Sequence, residues 1–200
     1  MSYKHEMLTR IEAAEPGSAF IVSDFTDIVD YGTAKKNLAR FEESGIIRRV
    51  MRGVYDKPRY SELLQEYAVP NPEEIAKAIA RNYNWKIAPA GDTALNLLGL
   101  STQVPADWEY VSSGPYKTYD IGTAKINFLH RADSLMRGMS YKTLLVVQAL
   151  KRIGKENTDD AVIEKIRSVL TDDEKNILIT EGRQALPWMY SVIKKVAGQE

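Results

Sequence analysis

Thr33, Lys36, Asn37 and Arg40 are residue types whose side chains hydrogen-bond base edges and phosphates. Arg48, Arg49 and Arg52 follow, beside a glycine at Gly53. Arginines at such a position can lie along a phosphate backbone or in a minor groove. The chemistry these types suit is recognition of a polyanion rather than bond-making. It requires a helix with a free polar face and a tight hairpin next to it.

The sequence supplies both. Residues 33–44 place Ala34, Leu38 and Phe41 at i, i+4 and i+7, the spacing of a buried helical stripe. With Ala34 at the origin and about 100° per residue, Lys36 falls at ~200°, Arg40 at ~240°, Thr33 at ~260° and Asn37 at ~300°. These four form the predicted outward stripe, and Lys35 adds a further cation. The helix N-terminus adds its dipole and free N–H groups toward a phosphate. Gly45 suits the C′ position, and Ile46–Val50, a turn at Met51-Arg52-Gly53 and Val54–Asp56 read as a hairpin. Strand alternation sends Arg48 and Arg49 to opposite faces, so at most one of the two faces a duplex. Upstream, Met7, Leu8, Ile11 and Ala14 mark an amphipathic helix over 3–14, ended by Pro16-Gly17. A short apolar segment, 18–22, leads to a helix predicted from Ser23 as its cap to about Val29, with a break at Tyr31-Gly32. Helix, helix, helix and hairpin within about 60 residues is the order of a winged helix-turn-helix, in which the helix before the hairpin enters the major groove.

Charge is balanced overall and uneven locally. The chain has 200 residues, 27 basic and 27 acidic, for a formal net charge of zero. This excludes a histone-like polycation and an acidic tail protein. Residues 1–30 hold Lys4 and Arg10 against six acids, whereas 31–60 hold eight cations against Glu42, Glu43 and Asp56. Local potential, not net charge, steers a polyanion. Absence of cysteine excludes disulfides, thiolate zinc sites and cysteine nucleophiles, and two histidines, His5 and His130, leave little for an imidazole metal site. The longest apolar run, 144–147, is far short of a membrane span of ~20 residues, and the N-terminus lacks an apolar signal core, so a cytoplasmic protein without membrane contact is expected.

Beyond a boundary near 57–61 the pattern changes. Asn71-Pro72-Glu73-Glu74 is a helix start, Trp85–Pro89 a short strand, Asp92–Leu98 a short helix. Trp108–Ser112 reads as a strand, and Tyr116–Ile121 and Lys125–His130 as a hairpin about Gly122. Helices follow over about 140–153, 158–169, 171–181 and 185–197, the third opened by a Thr171–Glu174 capping box. The expected fold is α+β: a winged helix-turn-helix at 1–60, then a mixed α+β domain at 61–200, with strands at about 85–130 and helices at about 140–197.

No phosphate-binding loop, dinucleotide fingerprint, zinc-protease motif or serine elbow occurs. Gly17-Ser18 followed by Asp24 and Asp27 misses the spacing of a nucleotidyltransferase. Asp159-Asp160 and Asp172-Asp173-Glu174 open helices, where acids favour the dipole. His130 reads as structural, and Trp85, Trp108 and Trp188 as core. Residues 188–196 align Trp188, Met189, Val192, Ile193 and Val196 on one side, as core packing or as a partner groove. No enzyme activity, cofactor or metal is expected.

The strings GTAKKNLARFEESGIIRRVMRGVYDKPRYSELL (32–64) and WKIAPAGDTALNLLGLSTQVPA (85–106) resemble AbiEi-like antitoxins, and in particular a branch of AbiEi-type transcriptional regulators. The resemblance runs from about residue 4 to about 155. It implies a sequence-specific DNA-binding regulator that represses its own operon, as type IV toxin–antitoxin antitoxins do, with double-stranded DNA as partner. Thr33, Lys36, Asn37 and Arg40 would then read bases, and Arg49 and Arg52 would make wing contacts. Two alternatives stay open: an antitoxin acting by contact with a nucleotidyltransferase-like toxin, and an unrecognised enzyme within 61–200.

Overall fold

The computed structural model describes residues 2–132 and 136–199. The chain is mixed α+β and divides into two compact units, Met1–Trp85 with Asp120–Thr123, and Lys86–Tyr119 with Ala124–Glu200. This division differs from the boundary expected near 57–61. Residues 61–85 stay with the first unit because their helix packs on its sheet.

In the first unit, helix α1 (Tyr3–Ala13) buries Met7 and Ile11 completely. Its last carbonyls, which a helix leaves unpaired, accept from the Lys57 ammonium at Glu12 and Ala14, both 2.7 Å. Strand β1 (Ala19–Ile21) follows and pairs antiparallel with β3 (Val54–Asp56), which also pairs with β2 (Arg48–Met51). The sheet order is therefore β1-β3-β2. The expected 23–29 helix is instead a short 3₁₀ turn, Val22–Phe25. Asp24, not Ser23, caps it by accepting from the Ile21 N–H at 2.9 Å, and Phe25 is fully buried. Helix α2 (Tyr31–Glu43) starts two residues before the expected 33, because Asp30 rather than a break at 31–32 supplies its cap. Ala34, Leu38 and Phe41 enter a core shared with Met7, Ile11, Phe25 and Tyr55.

A small hairpin of β4 (Tyr60–Ser61) and β5 (Glu66–Tyr67) comes next, with Tyr60 and Tyr67 edge to face at 5.3 Å. Its tip leaves Leu63 92% and Leu64 66% exposed. Helix α3 (Pro72–Tyr83), capped by Asn71 with Pro at its start as the sequence predicts, packs on β1 and β3. Arg81 of α3 holds Asp24 by two hydrogen bonds and donates to the Ala19 carbonyl at 3.0 Å.

A four-stranded sheet of β6 (Ile87–Pro89), β7 (Asp107–Ser112), β8 (Lys117–Ile121) and β9 (Ala124–His130), in the order β6-β7-β9-β8, is drawn mainly from the second unit, with Asp120 and Ile121 of β8 grouped with the first. Strands β7 and β9 pair in parallel, Asp107 with Lys125 through Ser112 with His130. Between β6 and β7 lies α4 (Gly91–Leu97). Helices α5 (Tyr141–Ile153), α6 (Asp160–Ser168), α7 (Asp172–Gly182) and α8 (Pro187–Val196) complete the unit. Leu145, Val146, Ile166, Leu178, Met189 and Ile193 are among the residues that join their cores. Met189, Ile193 and Val196 are buried, so the apolar side of α8 is packing surface. Trp108 is buried; Trp188 is partly buried against the same core, and Trp85 is half-buried and stacks on Tyr83 at 4.8 Å.

Candidate nucleic-acid interface

Helix α2 is amphipathic around Ala34, Leu38 and Phe41, so its opposite face must meet solvent. Lys35, Lys36 and Arg40 are exposed on it. On the hairpin, Arg49 and Arg52 are exposed as well, Arg52 beside Gly53, whose φ of +80° makes the turn. These five cations have no ion pair or side-chain hydrogen bond with another described residue. Tyr55 of β3 is buried in the core that Ala34, Leu38 and Phe41 of α2 line. Burial pushes its phenol upward in pKa, the Arg49 charge opposes that shift, and Glu42 and Tyr31 reinforce it.

Three expected contacts stand elsewhere. Asn37 is only 4% exposed and its Nδ2 donates to the Met7 sulfur at 3.6 Å. At ~300° it lies nearer the Phe41 side of the helix than the solvent side, and α1 covers that flank. Arg48 is tied to Asp56 through Nε at 3.0 Å and Nη2 at 2.6 Å, and donates to the Ala68 carbonyl at 3.1 Å. That Asp56 hydrogen bond keeps the Arg48 pKa raised. Thr33 is half-buried, and its N–H donates to Asp30 Oδ1 at 3.0 Å. A carboxylate therefore occupies the α2 N-terminus where a phosphate was expected. The Thr33 hydroxyl and N–H hold the Asp30 carboxyl below the usual aspartate range.

Three acids of the first unit are taken by other cations. Asp27 is held by Arg10 through two hydrogen bonds of 2.9 and 2.6 Å, Asp24 by Arg81 and Asp56 by Arg48. Each acid finds a cation outside the α2–hairpin-tip set. Asp56 was legible in principle: it lies across the hairpin from Arg48 in register, and bidentate arginine–carboxylate pairs favour that geometry.

The acidic runs of the second unit serve as caps. Asp159 accepts from the Val162 N–H, Asp172 pairs with Lys175, and Glu174 completes a capping box with Thr171. His130 Nδ1 donates to the Gly114 carbonyl at 2.8 Å. Among the described residues no group of three or more histidines, aspartates or glutamates is placed to hold a metal ion. Nor is any helix among them long and apolar enough to cross a membrane.

No curated protein matches this chain. The crystal structure of the RV2827C protein from Mycobacterium tuberculosis is similar at 12% identity and a TM-score of 0.41, over 98% of this chain and 76% of that one. A likeness that slight carries no argument about function. A family model matches residues 6–178, which include both units' sheets and the α2–hairpin surface, and the chain therefore belongs to DUF6088, a family of unknown function.

Proposed function

We propose that the first unit is a winged helix-turn-helix and that the protein is a DNA-binding transcriptional regulator. The order α1, β1, turn, α2, β2, β3 and the sheet order β1-β3-β2 support the fold reading. The observation that carries the functional reading is the set of five exposed, unpaired cations on α2 and the hairpin tip, Lys35, Lys36, Arg40, Arg49 and Arg52. In this reading α2 enters the major groove, Arg40 reads a base edge, Lys35 and Lys36 hold phosphates, and Arg49 and Arg52 follow the flanking backbone or minor groove. Repression of its own operon is the part of the proposal that rests on the resemblance to AbiEi-type regulators.

Fluorescence anisotropy with duplexes from the region upstream of the protein's own gene tests it. Arg40→Ala is expected to weaken specific binding by ~1–3 kcal/mol and to blur sequence preference. Arg49→Ala combined with Arg52→Ala is expected to weaken all duplexes alike and to reduce the salt slope by about 2. Asn37→Ala serves as the contrast, because a residue turned toward Met7 leaves base preference unchanged. Unaltered isotherms for a folded Arg40→Ala protein would refute the role of α2.

A further inference from the structure

Within the second unit lies an open cleft of about 580 Å³, inside the ~300–1,000 Å³ range of small-ligand sites. Val111 of β7, Leu129 of β9, Val147 of α5, Met136, Met139 and Met189 supply much of its apolar lining. The described lining contains no aromatic ring to stack on a base. Aliphatic and thioether walls fit a flexible alkyl chain instead, since methionine adapts readily to irregular apolar shapes.

The rim carries Glu109, Arg131, Lys151 and Arg152. Arg152 is engaged by Asp92 at 2.9 Å. Arg131 donates to the His130 carbonyl at 2.7 Å and to the Tyr116 hydroxyl at 3.4 Å. The Glu109 carboxylate lies against Gly91, where a Cβ would come within 2.6 Å of Oε2. Lys151 is exposed and makes no ion pair or hydrogen bond with another described residue. One ammonium without a described partner, beside an apolar lining and with the Glu109 carboxylate on the same rim, suits a headgroup of one negative charge. A second charge on that headgroup would meet Glu109.

We propose that this cleft binds a medium-chain monocarboxylate, with its alkyl chain on the methionine-bearing lining and its carboxylate on Lys151. The site is independent of DNA binding by the first unit. Calorimetric titration of the full chain with hexanoate, octanoate and decanoate tests it, with octanol and octylamine as comparison ligands. Saturable one-to-one binding is expected, tightening about three- to fourfold per added methylene, with octanoate ahead of octanol and octylamine weakest. Lys151→Glu is expected to weaken octanoate by about tenfold or more and to leave octanol unchanged. Leu186→Asp, at a rim position 57% exposed, weakens both. Both substitutions are at exposed positions, and circular dichroism verifies the fold of each. Absence of saturable heat with octanoate and decanoate, octylamine binding as tightly as octanoate, or octanoate affinity unmoved by Lys151→Glu would each overturn the proposal.

Discussion

Asn37 and Arg40 stand three residues apart on α2 and meet opposite environments, one under α1 and the other in solvent. Residue type does not separate them, since both suit base recognition. The angle from the helix core does, and Asn37 falls at its margin. Arg48 and Arg49 are a sharper case: adjacent arginines, one spent on a buried acid and one free. Asp56 is 1% exposed, and Arg48 is the cation that pairs with it. Arg48→Ala is expected to destabilise the first unit by about 2–3 kcal/mol, below the ~3–5 kcal/mol of a fully buried pair because Arg48 keeps some solvent. Urea denaturation measures this, and replacing Asp56 with Asn in the same chain should recover part of the loss. Equal stability of the single variant and the native protein would show that the pair is structurally idle.

At the level of elements, most boundaries were legible in the sequence because local signals agree. Asn71-Pro72 opens α3 where a helix start was expected, and the Thr171–Glu174 box and the 140–153 stretch yield helices within a residue or two of their expected ends. The hairpin about Gly53 and the strands at 107–112 and 124–130 were readable from alternation and turn residues. What escaped is non-local. The parallel pairing of β7 with β9, with β8 on the outside, depends on partners that alternation does not specify. The β4–β5 hairpin has two-residue strands and no burial pattern to announce it. The α2 surface was half legible: its cations were, the commitments of Arg48, Thr33 and Asn37 to partners up to 30 residues away were not. Gly182, buried at the end of α7, offers a test of helix packing. A Cβ there would lie 2.7 Å from Ile193 Cδ1 of α8. Gly182→Ala is expected to cost about 1–3 kcal/mol through overpacking, despite alanine's better helix propensity. A rise in Tm would mean that Ile193 moves aside without cost.

Over the whole molecule, a zero net charge coexists with a localised free positive set, and several of the acids that make up the balance are engaged. Asp27 is held below the usual range by its Arg10 hydrogen bonds, and Glu174 by the Thr171 N–H. Burial pushes Glu181 upward, but donation from Thr143 Oγ1 at 2.5 Å and from the Ser140 N–H and hydroxyl, both 2.7 Å, more than offsets it. A carboxyl whose folded pKa is lowered contributes stability above its unfolded value, and that contribution disappears as pH falls through the folded one. Stability is therefore expected to hold down to about pH 4.5 and to decline below the ordinary carboxyl values of ~3.9–4.3, with Tm followed by circular dichroism from pH 7 to 3. An increase in Tm over that acid range would contradict these assignments. The small β4–β5 hairpin has another consequence. Its bare tip, Leu63-Leu64 between Tyr60 and Tyr67, offers the side chains that chymotrypsin prefers on a ladder of two residue pairs. The first cut should fall there. The fragments should nevertheless migrate together on a native gel, because Arg81 with Asp24 and the seat of α3 on β1 and β3 hold both sides of the nick, and should separate once denatured.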